Sequence, residues 1–146
     1  MSNKYEHLIV RRPINVNELP HHELGQIIPF PVLMGKALVP EANAWALYVF
    51  IKEITPEMIE ALKRDEVGKA VLHKHRFDEM YLMIGEEEAI TFEVTLGSER
   101  YEVKTPAAVY IPAGTPHGIR PIAGTVGKTG GLIPVCLSGE YITEDV

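Results

Sequence analysis

Apolar residues along this chain fall into short runs separated by glycines and prolines, which are spread between the runs and do not gather into a linker. Short apolar runs bounded by turn-forming residues are typical of strands in all-β domains. The segment from Trp45 to Ile54 is mostly apolar, which predicts a strand covered on both faces. Further strands are predicted at 71–84, 89–96, 100–104, 107–111, 117–122 and 131–138. The pattern indicates an all-β chain of short antiparallel strands joined by tight turns.

One helix is predicted, immediately before the strand at 71–84. Thr55 offers a hydroxyl for the N-cap, and Pro56 follows at the first helical position, where its missing N–H costs nothing. The helix should end between Arg64 and Gly68. Three apolar residues at helical spacing are expected to pack against the strands: Met58, Ile59 and Leu62.

The N-terminal part of the chain has a different character. Prolines recur in residues 1–40, and each removes a hydrogen-bond donor and restrains its neighbour, so an irregular arm is predicted there. Residues 41–146 contain the predicted strands and the predicted helix. A length of 146 residues with 46% hydrophobic content suffices for one core, so a single domain over 1–146 is expected.

Charge and composition narrow the partners and the location. The formal net charge is -6, with both signs mixed along the chain, which argues against nucleic acid as a partner. The single cysteine, Cys136, cannot form an internal disulfide and reads as a buried strand residue. The N-terminus is polar and no apolar run is long enough to span a membrane, so we expect a cytoplasmic protein without a membrane partner.

The candidate chemistry lies in the predicted strand 71–84 and in a turn further along the chain. Alternate side chains of a strand share a face, which groups His73, His75, Phe77, Glu79, Tyr81 and Met83. A third imidazole, His117, follows a Pro-x-Gly turn that should direct it toward the interior. Imidazole and carboxylate ligands suit iron, manganese, nickel, cobalt or zinc. The sequence therefore predicts one divalent transition metal per chain, held by His73, His75, Glu79 and His117.

In these residues the sequence resembles the cupin superfamily. The matching motifs are His73-x-His75-x3-Glu79 and Pro112-x-Gly114-x2-His117. The departures from the family pattern lie at strand ends and remove no ligand: Gly68 and Gly85 each stand one residue closer to the ligands, Pro106 replaces a glycine and Pro121 replaces an asparagine. The resemblance implies a double-stranded β-helix, or jelly-roll barrel, formed by residues 41–146.

The resemblance leaves the reaction open. It implies a metal-dependent enzyme acting on a small oxygenated molecule, with dioxygenase chemistry favoured and isomerase or lyase chemistry next. Some cupins only bind or sense small molecules, so a non-catalytic module is the alternative. Glu79 and Tyr81 are the candidate acid-base groups, although a core aromatic role suits Tyr81 equally well. His21 and His22 lie next to each other in the arm. Adjacent histidines in a loop are more often solvated than ligands, so we interpret them as solvated loop residues.

A homodimer is also expected. The face of strand 71–84 opposite the ligands carries Met80, Leu82 and Ile84, which should not be left in water. The N-terminal arm or a second sheet layer could cover them within one chain. Small cupins commonly pair through a sheet face or by exchanging an N-terminal strand, and two-fold assembly is the commonest kind.

Overall fold

The computed structural model describes residues 4–15, 30–64 and 72–146. Within these ranges the chain forms twelve strands, one α-helix and one short 3-10 helix, Glu6–Leu8. The α-helix, α1, spans Pro56–Lys63. The strands are β1 (Ile14–Asn15), β2 (Pro31–Met34), β3 (Trp45–Leu47), β4 (Val49–Ile51), β5 (His73–Lys74), β6 (Glu79–Gly85), β7 (Ile90–Leu96), β8 (Glu99–Lys104), β9 (Ala107–Ile111), β10 (His117–Gly124), β11 (Gly130–Cys136) and β12 (Glu144–Asp145).

The strands form two antiparallel sheets. The larger has the order β1-β2-β3-β11-β6-β9, and β4 also pairs with β11. The smaller has the order β12-β5-β10-β7-β8. The predicted all-β, double-sheet class is therefore confirmed.

The main core lies between the two sheets. Tyr81 and Met83 of β6 and Ile111 of β9 face it from the larger sheet, while Phe92 and Val94 of β7 face it from the smaller. A second buried cluster, centred on Trp45 and Cys136, closes one end of the larger sheet: Val32, Trp45, Leu47 and Cys136. Burial on alternate positions of β6 is what the strand period requires, whereas the first three residues of β7 are all buried.

The predicted strand 71–84 is wrong as a single element. It is β5 in the smaller sheet and β6 in the larger one, and residues 75–78 cross between them. The alternating pattern is continuous in sequence because the crossing residues also face the interior, where His75 is buried and Phe77 half-buried. Periodicity alone cannot show that a strand changes sheets.

The other strand predictions hold with small changes at their ends. The predicted strands 89–96, 100–104, 107–111, 117–122 and 131–138 correspond to β7 through β11. The predicted strand over Trp45–Ile54 is interrupted at Tyr48 and forms β3 and β4. Its Phe50 is 50% exposed, so the expectation of cover on both faces is wrong there.

Helix α1 begins as predicted. The Thr55 hydroxyl accepts a hydrogen bond from the Met58 N–H at 3.3 Å, and Pro56 is the first helical residue. The helix ends at Lys63, slightly before the predicted end. Ile59 packs against the main core, but Met58 is 36% exposed and does not share its role.

The predicted irregular arm contains two short strands among its described residues. Strand β2 pairs with β3, and β1 pairs with β2, so this segment extends the larger sheet. Pro31 is the first residue of β2, a position at which a strand tolerates the missing N–H of proline. Strand β2 can therefore pair with both β1 and β3. His21 and His22 lie outside the described residues.

Candidate metal centre

Four side chains reach one point from three different parts of the fold. His73 of β5 and His117 of β10 are paired residues on neighbouring strands of the smaller sheet. Glu79 is the first residue of β6 in the larger sheet. His75 lies in the crossing between them, where its carbonyl accepts a hydrogen bond from the Gly114 N–H at 2.8 Å. That bond ties the crossing to the predicted Pro-x-Gly turn, which does direct His117 inward.

The donor atoms are close enough to share one ion. One potential ligand atom from each of His73, His75, Glu79 and His117 lies within 4.8 Å of the others. Glu79 Oε2 is 2.9 Å from His117 Nε2 and 3.0 Å from His75 Nε2. The His73 ring lies 4.4 Å from the His117 ring and 4.9 Å from the His75 ring, measured between centroids. The four predicted ligands thus come together and could hold one metal ion.

Backbone carbonyls set the tautomers of two of these histidines. The carbonyl oxygens of Ile142 and Thr115 lie 2.7 Å from His75 Nδ1 and 2.8 Å from His117 Nδ1. Since a carbonyl can only accept, both Nδ1 atoms carry the proton. In the neutral rings, the lone pair is therefore on Nε2 and faces the Glu79 carboxylate.

A cation would stabilise this arrangement of donor atoms. Two nitrogen lone pairs and a carboxylate oxygen turned toward one another repel, and a positive charge between them removes the repulsion. Within the described residues, His75 Nε2 is buried without a hydrogen-bond partner, since its 3.0 Å approach to Glu79 lacks hydrogen-bond geometry. Protonated imidazoles would supply this positive charge at low pH. A divalent metal would supply it while the imidazoles stay neutral. The donor set thus fits a borderline transition metal.

The cluster is sealed from solvent on most sides. His75, Glu79 and His117 are only 2%, 3% and 1% exposed, while His73 is half-buried. Burial by itself opposes ionisation of Glu79, but hydrogen bonds and positive charge from His117 and His75, when these rings are protonated, outweigh it and lower the pKa of Glu79 to about 2. Glu79 is therefore a carboxylate and carries the negative charge of the donor set.

Aromatic rings surround the ligands. Phe77 stacks on His75 with centroids 4.6 Å apart and planes 12° apart, and Tyr141 meets the same ring edge-on at 5.3 Å. Tyr81 is buried, with its ring centroid 6.2 Å from that of His117. Burial and the negative charge of Glu79 raise the pKa of Tyr81, so its hydroxyl is a neutral donor. The structure thus places Tyr81 beside the cluster, where either a core or a proton-donor role is possible.

Sequence reasoning missed several residues of the centre. The Ile142 and Thr115 carbonyls have no side-chain signature, so no motif could have revealed them. Tyr141 lies in a C-terminal segment for which we predicted no structure. Cys136 pairs with Glu79 across β11 and β6 and is fully buried; the sequence indicated its burial but not its strand partner.

Two cavities flank the cluster without containing it. One, of about 470 Å³, has Phe77 and Ile142 in its walls. The other, of about 200 Å³, has Trp45 and Tyr141 in its walls. Neither is lined by any of the four ligands, although both adjoin residues that contact or hold His75.

In the part of the chain that the structure describes, no helix is both long enough and apolar enough to cross a membrane.

No family model matches the sequence, and no curated protein matches it. Solved structures do match. A cupin 2 domain-containing protein from Halorhodospira halophila is 16% identical at a TM-score of 0.54, over 88% of this chain and 75% of that chain. A cupin-like protein from Thermotoga maritima is 11% identical at a TM-score of 0.52, over 82% of this chain and 75% of that one.

A hydroxypropylphosphonic acid epoxidase from S. wedmorenis is 17% identical at a TM-score of 0.44, over 74% of this chain and 49% of that chain. This chain thus spans about half the length of the epoxidase, and the structural similarity between the two is low. Identities this low show only the fold. On the two better matches, together with the double sheet and its interior His/Glu cluster, the chain has the fold of the cupin barrels.

Proposed function

We propose that this protein is a metal-dependent enzyme acting on a small oxygenated organic molecule, with dioxygenase chemistry favoured and isomerase or lyase chemistry next. One observation carries the proposal. Three imidazoles and a carboxylate converge in the barrel, and the two histidines whose Nδ1 atoms donate to backbone carbonyls turn their Nε2 atoms toward that point. Binding of one divalent transition metal follows from that donor set.

When bound, such a metal acts as a Lewis acid toward a carbonyl or hydroxyl group, and iron can in addition activate dioxygen. Four protein donors do not fill an octahedral shell, so a substrate could bind directly to the ion. The rings of Phe77 and Tyr141, which pack against His75, help to exclude bulk water from the cluster and so strengthen the local electrostatic interactions.

Glu79 and Tyr81 are the proposed acid-base groups. Glu79 Oε2 is an ionised acceptor at the centre of the cluster and can take a proton from a substrate hydroxyl or carbon acid. The Tyr81 hydroxyl, two residues along on the same strand face, can return one. The carboxylate also lowers the net charge of the site, which leaves the metal a milder Lewis acid than imidazoles alone would.

Elemental analysis of the purified protein tests the first step. We expect about one divalent transition metal per chain. Oxygen uptake by the iron-loaded protein is then measured with thiols, diketones and phenols as substrates. Uptake with one of these classes would support dioxygenase chemistry. Turnover without oxygen uptake would move the proposal to isomerase or lyase chemistry.

A second function is favoured by the burial of the cluster. Three of the ligands are almost inaccessible and neither flanking cavity contains one, as suits a protein that holds a metal or senses a small molecule without turning it over. Full metal occupancy with no turnover across several metals and the whole substrate panel would support this non-catalytic function against the first.

A further inference from the structure

The 470 Å³ cavity is an open cleft at the end of the barrel where β6 begins and β11 has ended. It is separate from the four metal ligands. Its volume is within the range of about 300–1,000 Å³ that is usual for small-molecule sites. The apolar part of its wall comes from three elements that meet there: Phe77, Leu137 and Ile142.

Lys36, an exposed residue, also lines the cleft. Its backbone N–H donates to the Gly139 carbonyl at 2.8 Å. A Cβ on Gly139 would lie 2.4 Å from Lys36 Cγ and 2.6 Å from Lys36 Cε, so the aliphatic stem of the lysine rests directly on this glycine. The stem is thereby held in place at the cleft, which lowers the entropy that Lys36 loses on binding a ligand.

The cleft carries an uncompensated positive charge. Arg76 is also in its wall, but it forms an ion pair with Glu144, another wall residue. Among the described residues, no carboxylate pairs with Lys36. The whole chain has a net charge of -6, yet this cleft contains the Lys36 ammonium without a partner carboxylate among the described residues. A cation of this kind beside apolar side chains favours the binding of an anion.

We propose that this cleft binds a small organic carboxylate with an aromatic or branched apolar body. The carboxylate is bound by the Lys36 ammonium, and Asn43 and Ser138, which also line the cleft, can hydrogen-bond its oxygens. The apolar body lies against Phe77, Leu137 and Ile142. This site is independent of the metal, so it does not rest on the function proposed above.

The test compares benzoate with its neutral analogue benzamide, using the full chain stripped of metal with a chelator. Binding is followed by titration calorimetry and by amide chemical shifts. We expect benzoate to bind about tenfold more tightly than benzamide, because one charged hydrogen bond separates them. Added salt should reduce this preference. Lys36→Met should abolish it without changing benzamide binding, and Leu137→Ser should weaken both ligands.

Lys52→Met is the matched control. Lys52 is exposed and follows β4, which pairs with the far end of β11. This variant should bind both probes as the wild type does. Equal binding of benzoate and benzamide, absence of binding at high millimolar concentration, or an undiminished benzoate preference in Lys36→Met would each overturn the proposal. Since the measurements use metal-free protein, failure of the metal-dependent function would leave their outcome unchanged.

Discussion

At the scale of single residues, His75 and His117 each act through both ring nitrogens. Nδ1 donates to a backbone carbonyl, which fixes the ring and its tautomer, and Nε2 is left to bind a metal. Each ring is almost fully buried, so neither can turn away to solvent. The two imidazoles are therefore pre-organised for ligation.

We predict that His75→Ala or His117→Ala loses most of the bound metal, because each substitution removes one coordinate bond. Metal per chain is measured by elemental analysis after gel filtration. His7→Ala is the control, since His7 is exposed and pairs with Glu41 at the surface. A double variant lacking both His75 and His117 that kept a full complement of metal would end the metal-site hypothesis.

Substitutions at Glu79 and Tyr81 should distinguish metal binding from catalysis. We predict that Glu79→Gln keeps substantial metal but loses nearly all turnover, because an amide cannot accept the proton. Tyr81→Phe should cost about ten- to a hundredfold in kcat, as expected for one general acid or base. Both are measured by steady-state kinetics with metal content determined in parallel. Wild-type turnover in metal-loaded Glu79→Gln would leave Glu79 a ligand only.

The histidines, not the carboxylate, should set the pH dependence of metal binding. The pKa of Glu79 is about 2, so this group stays ionised through mildly acidic solution. Imidazoles ordinarily protonate near pH 6.5 and then cannot ligate. We therefore predict that metal affinity falls as the solution is acidified, because a protonated imidazole cannot ligate. Occupancy that stays constant down to pH 4 in dialysed samples would indicate oxygen-only ligation instead.

At the scale of elements, the C-terminal segment belongs to the metal centre. Strand β12 pairs with β5, with Asp145 opposite His73. Just before it, the Ile142 carbonyl holds His75 and the Tyr141 ring packs against both His75 and Trp45. This segment is therefore a positioning element for two of the ligands.

We predict that deleting residues 141–146 weakens metal binding by about ten- to a hundredfold, the usual cost of losing partners that orient a ligand. Deleting only 144–146 removes β12 but keeps Tyr141 and Ile142, and should weaken binding less. Metal affinity is measured by competition with a chelator, and thermal unfolding checks that both chains fold. Equal, wild-type affinity in the two truncated chains would show that the segment does not position His75.

At the scale of the whole molecule, the outer face of the larger sheet carries a row of partly exposed apolar residues. Register places Met80 and Leu82 of β6 beside Val135 and Ile133 of β11, on the face opposite the core, with Phe50 nearby. Phe50 is 50% exposed and Ile84 is 36% exposed. Contiguous apolar surface of this kind marks an interaction site.

We predict that this face forms a homodimer, because a self-complementary apolar patch on a two-fold axis is the commonest assembly. Light scattering should give about twice the 16.3 kDa of one chain. Leu82→Glu should produce monomers, whereas Val126→Glu, at an exposed apolar residue in a loop, should not. A monomer mass for the wild type at low micromolar concentration refutes the dimer. If the homodimer forms but dissociates when residues 1–20 are removed, strand exchange by the N-terminal arm would be indicated.

Much of the molecule was readable from the sequence because its signals are local. Thr55 and Pro56 mark the helix start, and alternation along β6 shows which of its side chains are buried. The spacing of His73, His75 and Glu79, together with the Pro-x-Gly turn before His117, indicates the ligand set. Each signal depends on residues a few positions apart, for which strand and helix periods are sufficient.

The tertiary structure decided what depends on distant parts of the chain. Only the fold shows that β5 and β6 lie in different sheets, so that His73 and Glu79 meet across the barrel and do not share one strand face. Likewise, the Ile142 carbonyl reaches His75 across 67 positions, and a backbone group leaves no trace in residue type. Strand pairing and backbone hydrogen bonds between remote segments are set by global packing, which a local pattern does not encode.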